Sequence, residues 1–113
     1  MRSLRTLLAL ALLALSAFGV SWAQSTFATL TGNVTDPSGA ALVGATIEVK
    51  NLNTGYVYTT TTNSEGVYTV PNLLEGDYEL RATASGFGAF TVERITLNTR
   101  DNRRVDARMQ VQA

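Results

Sequence analysis

The 113-residue chain contains neither cysteine nor histidine. Without cysteine, no disulfide can reinforce the fold, even in a compartment that would permit one. Without either residue, zinc and copper lose their usual ligands. The commonest general base is missing, and no Ser-His or Cys-His nucleophile pair can form. Tryptophan occurs once, as Trp22, and charged residues make up only 16 % of the chain. Past residue 24 there is no long apolar run and no helical periodicity of useful length. No cofactor is expected from this inventory.

The first residues are organised differently from the rest. Arg2 and Arg5 form a short positive start, and Leu7 to Leu15 is a run of Leu and Ala alone. Ser21-Trp22-Ala23 then places small residues on either side of a large one. A charged start, an apolar core and a small-x-small cut site form the secretory pattern. A signal peptide over residues 1–23 is expected, cut between Ala23 and Gln24. The run is short for a membrane span of roughly 20 residues, and the mature chain is expected to hold no transmembrane segment. No cysteine near the cut is available for a lipid anchor. Export to the periplasm, the outer membrane or the medium follows from this reading.

Loss of Arg2 and Arg5 takes the nine basic residues to seven against nine acidic, a net charge of −2. That is no electrostatic footprint for nucleic acid. Arg94, Arg100, Arg103, Arg104 and Arg108 cluster late in the chain and read as a solvated face.

Residues 24–113 alternate with period two. Leu30, Gly32 and Val34 face one way, and Thr31 and Asn33 the other. Ala45, Ile47 and Val49 alternate with Thr46, Glu48 and Lys50. Tyr78, Leu80 and Ala82 oppose Glu79, Arg81 and Thr83. Val105, Ala107, Met109 and Val111 oppose Arg104, Asp106, Arg108 and Gln110. Turn signals intervene at Asp36-Pro37-Ser38-Gly39, Asn51 to Gly55, Asn63-Ser64-Glu65-Gly66, Glu75-Gly76-Asp77 and Ser85-Gly86. Pro71-Asn72-Leu73-Leu74 is expected to leave the strand begun at Val67. About seven short strands spaced in this way predict an all-β, antiparallel β-sandwich with Greek-key-like connections.

Leu30-Thr31-Gly32-Asn33-Val34-Thr35-Asp36, Thr62-Asn63-Ser64-Glu65-Gly66-Val67-Tyr68 and Leu73 with Gly76-Asp77-Tyr78 supply a spaced pattern. This pattern resembles the carboxypeptidase regulatory-like domain, a transthyretin-like (prealbumin-like) sandwich. It is most similar to the copies that follow the signal peptide in Oar-like TonB-dependent outer-membrane receptors. In those receptors a plug and a long barrel follow, whereas this sequence runs to Ala113. The resemblance implies structural residues and no catalytic ones. Gly32 is expected to leave room where a side chain would crowd the opposite sheet, and Asp36 to shape a turn. Gly66 and Gly76 are expected at turns with positive φ. Tyr68 and Tyr78 are expected to point inward with their hydroxyls at the rim, and Leu73 to plug the end of the sandwich between them.

Several candidate sites follow. Tyr56 to Thr62 is rich in β-branched and aromatic residues and mostly polar, so it is expected at a sheet edge. Tyr56, Tyr58, Thr60 and Thr62 are its candidate binding surface, for an envelope protein or a polysaccharide. Tyr56 and Tyr58 with Phe87 and Phe90 would offer sugars an aromatic platform, although such platforms are usually rich in tryptophan. Asp36, Glu65, Glu75 and Asp77 are oxygen donors of the kind calcium takes, without the dense spacing of a calcium loop. An isopeptide between Lys50 and Asn98 or Asn102, as in some surface adhesins, is disfavoured by the wet parity of Lys50. Hydrolysis would need a nucleophile elbow or a two-carboxylate cleft, and neither is indicated.

Overall fold

The computed structural model describes residues 2–17 and 26–112. The expected cleavage site, Ala23 and Gln24, lies outside the described residues. Helix α1 spans Arg2–Ala17. Its Leu4, Leu7, Leu8 and Leu10 are all exposed. No helix among the described residues is long and apolar enough to cross a membrane, which carries no information about β-barrels.

Eight strands follow: β1 (Ala28–Thr35), β2 (Thr46–Asn51), β3 (Val57–Thr61), β4 (Val67–Leu73), β5 (Gly76–Thr83), β6 (Phe90–Leu97), β7 (Asn102–Arg104) and β8 (Ala107–Arg108). One sheet runs β4-β1-β7, with β8 also on β1, and the other runs β3-β2-β5-β6. The period-two alternation decides the core. Leu30, Val34, Tyr68, Val70, Leu73, Ala107 and Met109 come from the first sheet and its C-terminal continuation. Ile47, Val49, Tyr78, Leu80, Ala82, Ile95 and Leu97 come from the second. Each sheet thus buries one face against the other, and removal of this apolar surface from water drives the sandwich together.

Outer faces carry the polar parity. On the second sheet Glu48 lies opposite Arg81, and Lys50 opposite Glu79. Opposite charges at paired positions favour this register, and a one-residue slip would drive them into the core.

The C-terminal segment departs from the antiparallel expectation. Here β7 and β8 run parallel to β1, while β1–β4, β2–β3, β2–β5 and β5–β6 are antiparallel. Hydrophobic alternation fixes a strand's faces and carries no information on its direction. The segment is also broken at Val105–Asp106, between its two short pairings. Ala107 and Met109 are buried as their parity requires, whereas Val111 is exposed. Strand β4 in turn extends through Pro71 to Leu73. Asn72 takes a left-handed φ of 62°, and this single residue shifts the parity so that Leu73, rather than Asn72, is buried.

Gly32 sits in the middle of β1. A Cβ there would lie 1.9 Å from the Val105 carbonyl oxygen and 2.9 Å from Cε1 of Tyr68. The crowding therefore comes from the C-terminal segment beside β1 and from a ring of the same sheet, not from the opposite sheet. Gly66 turns with φ 74°, and a Cβ there would meet the Val34 carbonyl oxygen at 2.8 Å. Gly76 adopts φ 150° as the first residue of β5.

Candidate interaction surface

Strand β3 is an edge: it pairs with β2 and, among the described residues, with no strand on its other side. The turn before it is built by Asn51, the last residue of β2. The Asn51 carboxamide oxygen accepts from the Asn53 N–H at 2.8 Å and from the Thr54 N–H at 3.1 Å. The Asn51 carbonyl accepts from the Gly55 N–H at 2.8 Å. Asn51 Nδ2 reaches the Tyr78 hydroxyl at 3.4 Å, and that hydroxyl donates to the Leu74 carbonyl at 2.7 Å. The core tyrosine thus ties the β2–β3 turn to the β4–β5 turn. Burial first, then the neighbouring Tyr58, raises the Tyr78 pKa, so this hydroxyl is held as a donor.

The turn delivers Tyr56 beside Tyr58, with ring centroids 4.7 Å apart and an interplanar angle of 66°. This edge-to-face arrangement suits the positive rim and negative face of the two rings. Tyr56 is 62 % exposed. Tyr58 is half-buried and packs against the core.

The four expected surface residues do not share one environment. Tyr58 pairs with Val49 and Thr60 with Ile47, both core residues, so these two side chains lie on the inward parity. Thr62 is buried, contrary to its expected place on the binding surface. Its hydroxyl donates to the Leu42 carbonyl at 2.6 Å and accepts from the Ala45 N–H at 2.9 Å. The exposed side chains of the strand are Val57, Thr59 and Thr61. The Asn51 N–H donates to the Tyr56 carbonyl, and the Thr62 N–H to the Ala45 carbonyl. With these bonds at either end, the antiparallel alternation turns the amides of Tyr58 and Thr60 toward β2. Those of Val57, Thr59 and Thr61 then point away from the sheet.

Phe90 lies on β6, at the opposite edge of the same sheet. Phe87 bridges to Val111. The four aromatic residues therefore form no common platform.

The remaining motif residues are structural. Tyr68 is buried and its hydroxyl donates to the Val105 carbonyl at 2.5 Å. Burial, with the Asp106 charge adding to it, pushes that hydroxyl far above the usual range. Leu73 is fully buried. Asp36 accepts from the Ser38 N–H at 2.9 Å, the Ser38 hydroxyl at 2.6 Å and the Ala40 N–H at 3.0 Å. Among the described residues, no three acidic side chains gather where they could share a cation. Glu75 instead accepts from the Thr99 hydroxyl, and Asp77 from Thr96. Lys50, Asn98 and Asn102 are all exposed. No buried side-chain nitrogen or oxygen among the described residues lacks a hydrogen-bond partner. The arrangement offers hydrogen-bond ladders and apolar contact, and the hydroxyls beside Asp36, Glu75 and Asp77 serve turns and loop contacts.

Asp106 was invisible as a functional position in the sequence. Its carboxylate accepts from the Asn33 N–H at 2.9 Å and from Arg104 Nε at 3.0 Å, and so clips the broken C-terminal segment to β1. The Asn33 N–H is the main cause of its lowered pKa, and the Ser38 hydroxyl is the main cause for Asp36. A depressed carboxylate stabilises the fold above its unfolded pKa and loses that contribution as pH falls through the folded value. Melting temperature is therefore expected to be level above about pH 4 and to fall as pH drops below it. In Asp36→Asn/Asp106→Asn the fall should be shallower, as read by circular dichroism melts across the acid range. An equally steep fall in the double variant would contradict this role.

Known folds place the domain. A search of the curated proteins found no match. Among solved structures, the Bacillus anthracis TIE protein aligns with a TM-score of 0.60 at 20 % identity, over 76 % of this chain and 17 % of its own. A candidate carbohydrate-binding protein from Bacteroides uniformis gives 0.59 at 22 % identity, over 73 % of this chain and 40 % of its own. Acinetobacter radioresistens catechol 1,2-dioxygenase gives 0.63 at 13 % identity, over 80 % of this chain and 53 % of its own. The chain thus spans well under two thirds of these proteins, and identities this low establish a shared fold alone. Residues 29–110 match the carboxypeptidase regulatory-like domain, a non-catalytic module. That match runs from the second residue of β1 past the end of β8, and on it the chain belongs to the carboxypeptidase regulatory-like domain family.

Proposed function

We propose that the chain is an exported, non-catalytic interaction and scaffold module, of the kind that forms the N-terminal extension of a TonB-dependent outer-membrane receptor. Residues 1–23 act as its signal peptide. The exposed leucines of α1, together with Arg2 and Arg5 at its start, support that assignment. The observation that carries the reading is the uncharged outer edge of β3, whose Val57, Thr59 and Thr61 amides are offered to a partner strand. The absence of histidine and cysteine supports a role without turnover. A photo-crosslinking residue at position 59 should trap a protein partner, an envelope protein or a second copy of the chain, when the full chain is expressed with its leader. The same group at Thr91, on the opposite edge of the sheet, should not. Equal labelling at both positions would sink the reading.

A second reading is a small carbohydrate-binding module, favoured by the exposed Tyr56 stacked edge-on with Tyr58. It predicts retention on an insoluble polysaccharide that is lost in Tyr56→Ala/Tyr58→Ala. Absence of retention on every glycan tried would leave the first reading alone.

A further inference from the structure

The four sheet edges are not alike. The β4 edge carries Pro71 and the left-handed Asn72. The Val34 N–H donates to the Gly66 carbonyl, and the alternation that follows turns Val67, Thr69 and Pro71 outward. Proline thus removes a donor from the exposed side of that edge. The β6 edge is bulged where its register to β5 shifts, and Glu93 and Arg94 together face Glu79 there. Paired charges on a bulge discourage another strand. The C-terminal edge is short, carries Arg103, Arg104 and Arg108, and is interrupted at Val105–Asp106. Only β3 has none of these devices: it is regular, lacks proline, and lies in a stretch with no charge between Lys50 and Glu65.

We infer that the β3 edge pairs with β3 of a second copy of this chain, antiparallel about a two-fold axis through Thr59. The inference rests on the interaction-module reading and names the partner strand. In such a self-pair the residue on the axis confronts its own copy and the others confront residues of the same short stretch, and no charge between Asn51 and Ser64 opposes that approach. Register supplies the rest. The outward amides are those of Val57, Thr59 and Thr61. Centring the pair on Thr59 sets Thr59 against itself and Val57 against Thr61 of the second copy. All three positions then form hydrogen-bonded pairs, roughly six ladder bonds in all. A centre moved by one residue, to Tyr58 or Thr60, matches fewer outward amides. On the exposed face, Val57 meets a β-branched threonine, a favourable cross-strand pair. On the other parity, Tyr56 falls opposite Thr62 and Tyr58 opposite Thr60 of the second copy. The two four-stranded sheets become one continuous sheet.

Sedimentation velocity on the purified full chain tests this. The wild type should show concentration-dependent dimers. Thr59→Lys and Thr59→Asp each place like charges face to face at the axis and should weaken self-association at least tenfold. An equimolar mixture of the two should restore dimers to within about threefold of wild type, since Lys then faces Asp. Thr91→Lys, on the β6 edge, should behave as wild type and confirms that an added lysine alone is harmless. Circular dichroism checks that each variant is folded. Three results would each overturn the inference: a wild type monomeric to millimolar concentration, dimers of undiminished strength in both Thr59 variants, or a mixture that stays monomeric. Because only this protein is present, a monomer that still crosslinks to an envelope partner through position 59 would leave the broader reading standing.

Discussion

Gly32→Ala is expected to lose a large part of the domain's stability. The new methyl carbon would stand 1.9 Å from the Val105 carbonyl oxygen and 2.7 Å from its carbon. Both are backbone atoms, so no rotamer change relieves the overlap. The C-terminal segment would have to move off β1. That movement breaks the Tyr68 hydroxyl bond to Val105 and the Val105 N–H bond to the Thr31 carbonyl at 2.8 Å. It also strains the Asp106 clip on Asn33. Overpacking against a fixed wall costs about 1–3 kcal/mol, and buried hydrogen bonds left unmade add about 1–3 kcal/mol each. A loss of at least ~3 kcal/mol is therefore expected from a domain whose total lies near 5–15 kcal/mol. In a chain of this size that lowers the melting temperature by roughly 12–24 °C. A calorimetric drop below about 4 °C would show that Val105 yields far more easily than its bonds imply.

Leu73→Ala should be the second large loss, about 2–5 kcal/mol for a buried leucine that leaves a cavity. Leu73 is fully buried at the end of β4, opposite Ala28, and closes one end of the core. Its neighbour Leu74 is 56 % exposed. Leu74→Ala should therefore stay within about 0.5 kcal/mol of wild type. Urea denaturation of the two variants separates them. Similar midpoints would mean that the left-handed turn at Asn72 does not set which leucine enters the core.

Much of this fold is legible in the residues. Strands β1, β2 and β5 announce their faces because apolar and polar side chains alternate without exception from Leu30 to Val34, Ile47 to Lys50 and Tyr78 to Thr83. Tyr68, Tyr78 and Leu73 are likewise legible as core. Strand β3 is legible as an edge but not in its parity. Val-Tyr-Thr-Thr-Thr offers little hydrophobic contrast between its faces, and contrast is what fixes a register. Thr62 therefore reads as surface although its hydroxyl bridges Leu42 and Ala45 inside. The direction of the C-terminal segment is silent for a different reason: a parallel and an antiparallel strand bury the same alternate residues. Gly32 signals a close approach, yet nothing local says that the approaching atom belongs to Val105, 73 positions along the chain. Asn51 was within reach, since a strand-ending Asn followed by Thr and Gly is a recognised turn signal. Its link to Tyr78 belongs to the tertiary structure alone.

The first strand lies between partners that are both synthesised long after it. Its Asn33 pairs with Val67 on one side and is clipped by Asp106, 73 residues away, on the other. Until those distant stretches exist, β1 has neither neighbour, and the loops that bring them back must be closed at an entropic cost before any ladder forms. Folding should therefore be slow for so short a chain, in the millisecond-to-second range typical of β proteins dominated by long-range contacts. A nascent chain ending before Asn102 would leave one side of β1 bare, an open template on which aggregation can begin.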